Sequence, residues 1–109
     1  MDNLEREIES EMKNLKEMNS IHAELYNLNR NLSNCLDLVS ESASNPNINN
    51  RLDEMREDCK KSFRESKSDL EDRMEMTKKN IQDLTEQREE EKEKKEKEKE
   101  EEEDEEETK

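Results

Sequence analysis

From Met1 to Val39 the apolar residues recur every three or four positions for more than five heptads. A helix can hide that period on one face, whereas a strand needs alternation at every second residue. With position a at 1, 8, 15, 22, 29 and 36, the a residues are Met1, Ile8, Leu15, His22, Asn29 and Leu36. The d residues are Leu4, Glu11, Met18, Leu25, Leu32 and Val39, so nine of the twelve are apolar. Asp2-Asn3-Leu4-Glu5 has the spacing of a capping box and marks the start of the helix. Toward its end Ile21, Leu28 and Cys35 fall at g, beside a, and widen the stripe to three positions. A two-stranded seam needs only a and d; the wider face suits contact with more than one neighbouring helix.

The pattern breaks in the Ser- and Asn-rich stretch at 40–50. Ser and Asn side chains compete for backbone hydrogen bonds and favour caps and turns. Pro46 disfavours a helical Asn45 and suits the first turn of a new helix, which makes Asn45 an N-cap with Pro46 at N1. Beyond it Ile48, Leu52, Met55, Cys59, Phe63, Leu70, Met74, Ile81 and Leu84 continue at spacings of three and four, with Lys67 and Thr77 filling the gaps. The chain therefore divides into a first coiled-coil helix at 1–40, a turn at 41–46, a second coiled-coil helix at 47–88 and a Glu/Lys-rich acidic tail at 89–109.

A short turn makes its flanking helices antiparallel neighbours. A turn near 43–44 pairs residues whose numbers add to 87–89. Leu36 then meets Leu52, Leu32 meets Met55, Leu25 meets Phe63, Ile8 meets Ile81 and Leu4 meets Leu84. The polar interruptions coincide as well: His22 falls opposite Lys67, Glu11 opposite Thr77, and Asn29 near Cys59. The expected fold is all-α, a long antiparallel helical hairpin or coiled coil with a partly disordered tail. Cys35 and Cys59 are offset by about six residues from a facing pair, about 9 Å along the axis, too far for an intramolecular disulfide.

Composition limits the functions open to such a chain. Sixteen of its 109 residues are Leu, Ile, Val or Phe, half are charged, the net charge is −14, and there is no Gly. So little apolar material cannot wrap a compact core or a shielded pocket, so no enzyme and no cofactor are expected. Two cysteines 24 positions apart and a single His do not make a zinc site. A strongly acidic chain disfavours direct contact with nucleic acid. No run of about 18 apolar residues offers a membrane span, and the N-terminus lacks the apolar region of a secretory signal, so the expected location is cytoplasmic, with the cytoskeleton or the nucleus as alternatives.

The tail at 89–109 holds 14 acids and 6 lysines, a net of −8. Glu90–Lys94 and similar pairs four apart support helix, while the eight consecutive acids Glu100 to Glu107 are expected to repel and fray.

The leading expectation is a non-catalytic scaffold subunit of a larger helical assembly, of cytoskeletal, kinetochore or vesicle-tethering type, in a homo- or hetero-oligomer. Its partner face comprises Leu25, Leu28, Leu32, Leu36 and Val39 with Leu52, Met55 and Phe63, and His22 and Asn29 are polar residues that set register. The alternatives are an acidic-tail binding protein or chaperone whose Glu100–Glu107 run meets basic partners such as histones or ribosomal proteins, and a disordered segment that folds on binding.

Overall fold

The computed structural model describes the backbone of residues 2–107 and the side chains of residues 2–102. The expectations placed on Met1 at the first a position, and on the last residues of the tail, lie outside them. The fold is all-α: α1 is Asn3–Ser42 and α2 is Pro46–Glu107. Among the described residues there is no strand. The helices fall into two compact units, one of Met1–Leu15 with Met76–Lys109 and one of Lys16–Glu75.

Local chemistry explains where each helix starts and stops. Asp2 caps α1: its Oδ1 accepts from the Glu5 backbone N–H at 2.8 Å, and its carbonyl accepts from Arg6 N–H at 3.2 Å. At the far end the Ala43 N–H reaches the carbonyls of Val39 at 3.0 Å and Ser40 at 3.3 Å, a shared bond common at helix ends. The Ser42 hydroxyl donates back to the Leu38 carbonyl at 3.1 Å. Only 43–45 separate the helices. Asn45 caps α2 as the spacing requires: its Oδ1 accepts from Asn47 N–H at 2.9 Å, and its carbonyl accepts from Ile48 and Asn49 N–H, each at 3.1 Å. Pro46 occupies N1, where no N–H is needed. No described residue has a positive φ, so a chain without glycine turns here at no steric cost.

The Asn45 cap is testable. Asn45→Ala is expected to remove about 1 kcal/mol and lower Tm by roughly 5 °C in thermal denaturation. Asn50→Ala, on the exposed side of the same first turns, should stay within about 0.5 kcal/mol of the parent. Equal effects from the two would refute the cap.

The Lys16–Glu75 unit is a helical hairpin. On α1 the inward residues are Met18, His22, Leu25, Asn29 and Leu36; on α2 they are Leu52, Arg56, Cys59, Phe63, Lys67, Leu70 and Met74. Leu36 and Leu52 are its most deeply buried apolar side chains, 6% and 7% exposed. The heptad seam thus holds from Met18 to Asn29 and then shifts. Leu32 and Val39, expected on the seam, are exposed at 44% and 50%, while Ser40 and Ala43 are half-buried instead. A straight α-helix drifts by about 20° per heptad against a strict seven-residue repeat, which carries late d positions off the contact. On α2 the same rotation leaves Ile48 and Met55 exposed and turns Asn49 and Arg56 inward.

Leu32 and Met55, expected to face each other on the seam, are each about half exposed, and Leu32 lines one cleft with Leu36, Arg56 and Cys59. The cross-helix contacts also step past the expected register. Tyr26 with Phe63 adds to 89, but His22 with Glu71, Tyr26 with Lys67 and Asp37 with Arg56 each add to 93, one helical turn further.

In the other unit Ile8 and Thr77 are buried, at 5% and 6% exposed, with Leu4, Glu11, Leu15, Ile81 and Leu84 half-buried around them. Glu11 and Thr77, the polar interruptions expected to coincide, both turn inward. Glu7, Ser10 and Glu11 of α1 share one cleft with Asn80, Asp83 and Leu84 of α2. The Thr85 hydroxyl donates to the Ile81 carbonyl at 2.7 Å. Beyond Arg88 every residue from Glu89 to Glu102 is exposed, yet α2 continues as helix through Glu107. Glu100–Glu107 thus fall within α2. Glu is a strong helix former and requires no burial to be one.

Candidate functional site

The two long sides of the Lys16–Glu75 hairpin differ in chemistry. One side is closed by charged and aromatic groups. Asp37 pairs with Arg56, His22 Nε2 lies 3.1 Å from Glu71 Oε1, and Lys67 Nζ lies 3.9 Å from the same carboxylate. Tyr26 joins the cluster, edge-on to His22 with ring centroids 5.1 Å apart and edge-on to Phe63 at 5.3 Å. The Lys67 ammonium stands 5.5 Å from the Tyr26 ring centre. Its hydrogen bond with Tyr26, followed by the charges on Tyr26 and Glu71, raises Lys67 above the ordinary lysine value.

The other side is open and apolar. A groove of about 520 Å³ runs between the helices, floored by Leu25, Leu28, Leu32, Cys35, Cys59 and Phe63. Its polar lining is uncharged except for Asp58: Asn29, Asn31, Ser62 and Ser66. Leu28 is 65% exposed in it. Tyr26 lies two residues before Leu28, and Asp37 two after Cys35, about 160° round a helix of 3.6 residues per turn, which puts the ion pairs on the far side.

The spacing along this open side is the same on both helices. On α1 the stripe is Ile21, Leu28, Leu32, Cys35 and Val39; on α2 it is Ile48, Met55, Cys59, Ser62 and Ser66. Each advances by seven, four, three and four. Ile21, Val39, Ile48 and Met55 are each about half exposed. Single exposed apolar residues are ordinary, but a contiguous strip marks an interaction surface.

The eight residues expected to form the partner face divide accordingly. Leu25, Leu28, Leu32 and Phe63 line the groove. Val39 and Met55 extend the exposed strip, while Leu36 and Leu52 are buried inside the hairpin and unavailable to a partner. Of the two polar residues, Asn29 lines the groove and His22 lies on the closed side against Glu71. Sequence reasoning missed Tyr26, which sits off the seam at e; its place four residues after His22 and opposite Phe63 was the available signal. It also missed Arg56, because an inward arginine becomes legible only once Asp37 is seen across from it.

Among the described residues no three His, Cys, Asp or Glu side chains are grouped to hold a metal ion, and no helix is long and apolar enough to cross a membrane. Cys35 and Cys59 are free thiols. The chain matches no family model, no curated protein and no solved structure.

Proposed function

We propose that the protein is a non-catalytic scaffold subunit, a helical hairpin that docks through its open face into a larger helical assembly of cytoskeletal, kinetochore or vesicle-tethering type in the cytoplasm. The observation that carries this reading is the exposure of Leu28 and Leu32 beside the groove, at 65% and 44%, in a chain with few apolar residues to spare. Apolar side chains placed side by side and left in water gain about 25 cal/mol for each Å² a partner covers. Ion pairs cover the opposite side, where exposed pairs contribute little to association.

The experiment replaces Leu32 with Asp in the full chain in its native cells and measures the size of the assembly that contains it. A buried carboxylate without a partner costs several kcal/mol, so the variant should leave the assembly, while Arg30→Gln, away from the groove, should remain in it. Removing residues 89–109 should leave the assembly intact. If the truncation dissolves it and Leu32→Asp does not, the acidic tail is the binding element and a basic partner replaces the helical one.

A further inference from the structure

We infer that Cys35 and Cys59 form a reversible redox site, a pair of thiols that a low-molecular-weight disulfide closes into a covalent staple between α1 and α2. The inference goes beyond docking and holds whatever covers the open face.

Two observations bring the thiols together. The first is register. Read from the sequence, a turn near 43–44 leaves the two cysteines about six residues out of step. The structure sets a different register where they sit. Asp37, two residues after Cys35, pairs with Arg56, three residues before Cys59. That contact adds to 93 and Cys35 with Cys59 adds to 94, so the offset shrinks to one residue, about 1.5 Å along the axis. His22 with Glu71 and Tyr26 with Lys67 keep the same register further along. Tyr26 with Phe63 adds to 89, but Tyr26 lies about two and a half turns from Cys35, whereas Asp37 lies within one.

The second is the face. Cys35 and Cys59 line the same groove, Cys35 exposed and Cys59 half-buried. Cys59 also lines the cleft with Leu32, Leu36 and Arg56, which places it on the line where the helices meet. Cys35 stands one residue before the buried Leu36, at the rim of that line. Packed helices lie about 8–10 Å apart and carry their Cα atoms about 2.3 Å from each axis, so facing Cα atoms approach to about 4–6 Å. A disulfide spans about 4.4–6.8 Å between Cα atoms.

The exposed thiol acts first. Cys35 gives up its proton, its sulfur attacks one sulfur of the small disulfide, a mixed disulfide forms and one small thiolate leaves. The Cys59 thiolate then attacks the Cys35 sulfur, and the second small thiolate departs. Two protein thiols lose two electrons and two protons, and one small disulfide becomes two small thiols. A dithiol reductant runs the exchange backwards. The staple closes a loop through the turn and restricts the unfolded chain more than the folded one.

The test equilibrates the purified full chain with mixtures of reduced and oxidised glutathione, in buffer and in concentrated urea, with protein dilute enough to suppress links between chains. After acid quenching, intact mass spectrometry reads the fraction lacking two hydrogens, and peptide mapping reads the linkage. At equal glutathione the Cys35–Cys59 disulfide should be favoured at least about tenfold more in the folded chain than in urea. The oxidised hairpin should melt at least about 5 °C above the reduced one, and dithiothreitol should erase the difference. Cys59→Ser should stop at the mixed disulfide on Cys35. A disulfide favoured equally or less in the folded chain overturns the site, because the fold then does not bring the thiols together. So does a folded chain that carries glutathione on both cysteines, or one that links only to other chains.

Discussion

Leu36→Asp is expected to abolish the cooperative unfolding of the hairpin at 25 °C. Leu36 is 6% exposed and Leu52 7%, and no other apolar side chain of the Lys16–Glu75 unit is so deeply buried among the described residues. A carboxylate at 36 either stays charged against apolar neighbours or takes up a proton to avoid doing so, and both routes cost several kcal/mol. Small helical units have at most a few kcal/mol in hand, and helices in water depend on the packing of one face. Far-UV circular dichroism in a urea titration should show the sigmoidal transition replaced by a shallow slope. Leu28→Asp, at a position 65% exposed, should unfold within about 0.5 kcal/mol of the parent when measured as a monomer. A Leu36→Asp chain with the parental midpoint would show that the inward face has been misassigned.

Phe63→Ala should cost about 2–3 kcal/mol, below the full range for a buried aromatic because Phe63 is only half-buried. Part of the loss is apolar burial, and part is the edge-on contact with Tyr26, whose ring plane lies 77° from that of Phe63. Phe63→Leu restores volume but not the ring, so it should recover more than half of the loss. The protein has one Tyr and no Trp, so its near-ultraviolet circular dichroism reports chiefly on Tyr26. That signal should collapse in Phe63→Ala under conditions where the far-ultraviolet spectrum still shows helix. A parental near-ultraviolet spectrum in Phe63→Ala would mean that Phe63 does not order Tyr26.

The parts of the structure that were legible beforehand are those decided within a few residues. Asn45, Pro46 and Asp2 act on their own backbone neighbours, so caps and turn could be read off directly. The inward seam from Met18 to Asn29 was legible because a seven-residue repeat and a helix stay in phase over two heptads. Leu32, Val39, Ile48 and Met55 were assigned to the wrong environment for the complementary reason. Their orientation depends on phase accumulated along α1 and α2 and on which partner Arg56 finds across the hairpin, and neither is local. Two of the eight residues expected on the partner face, Leu36 and Leu52, lie inside, and Ile21, Cys35 and Ile48 are exposed beside the other six. The helical state of Glu100–Glu107 was hidden differently. Charge repulsion and intrinsic propensity oppose each other there, and counting charges weighs only the first.

The three-residue link between α1 and α2 has a kinetic consequence. Closing so short a loop sacrifices little chain entropy, and Leu36 and Leu52 are separated by only the turn and about two helical turns on either side. The first tertiary contacts can therefore form before distant parts of the chain have found one another, which places the hairpin among rapidly folding, low-contact-order architectures.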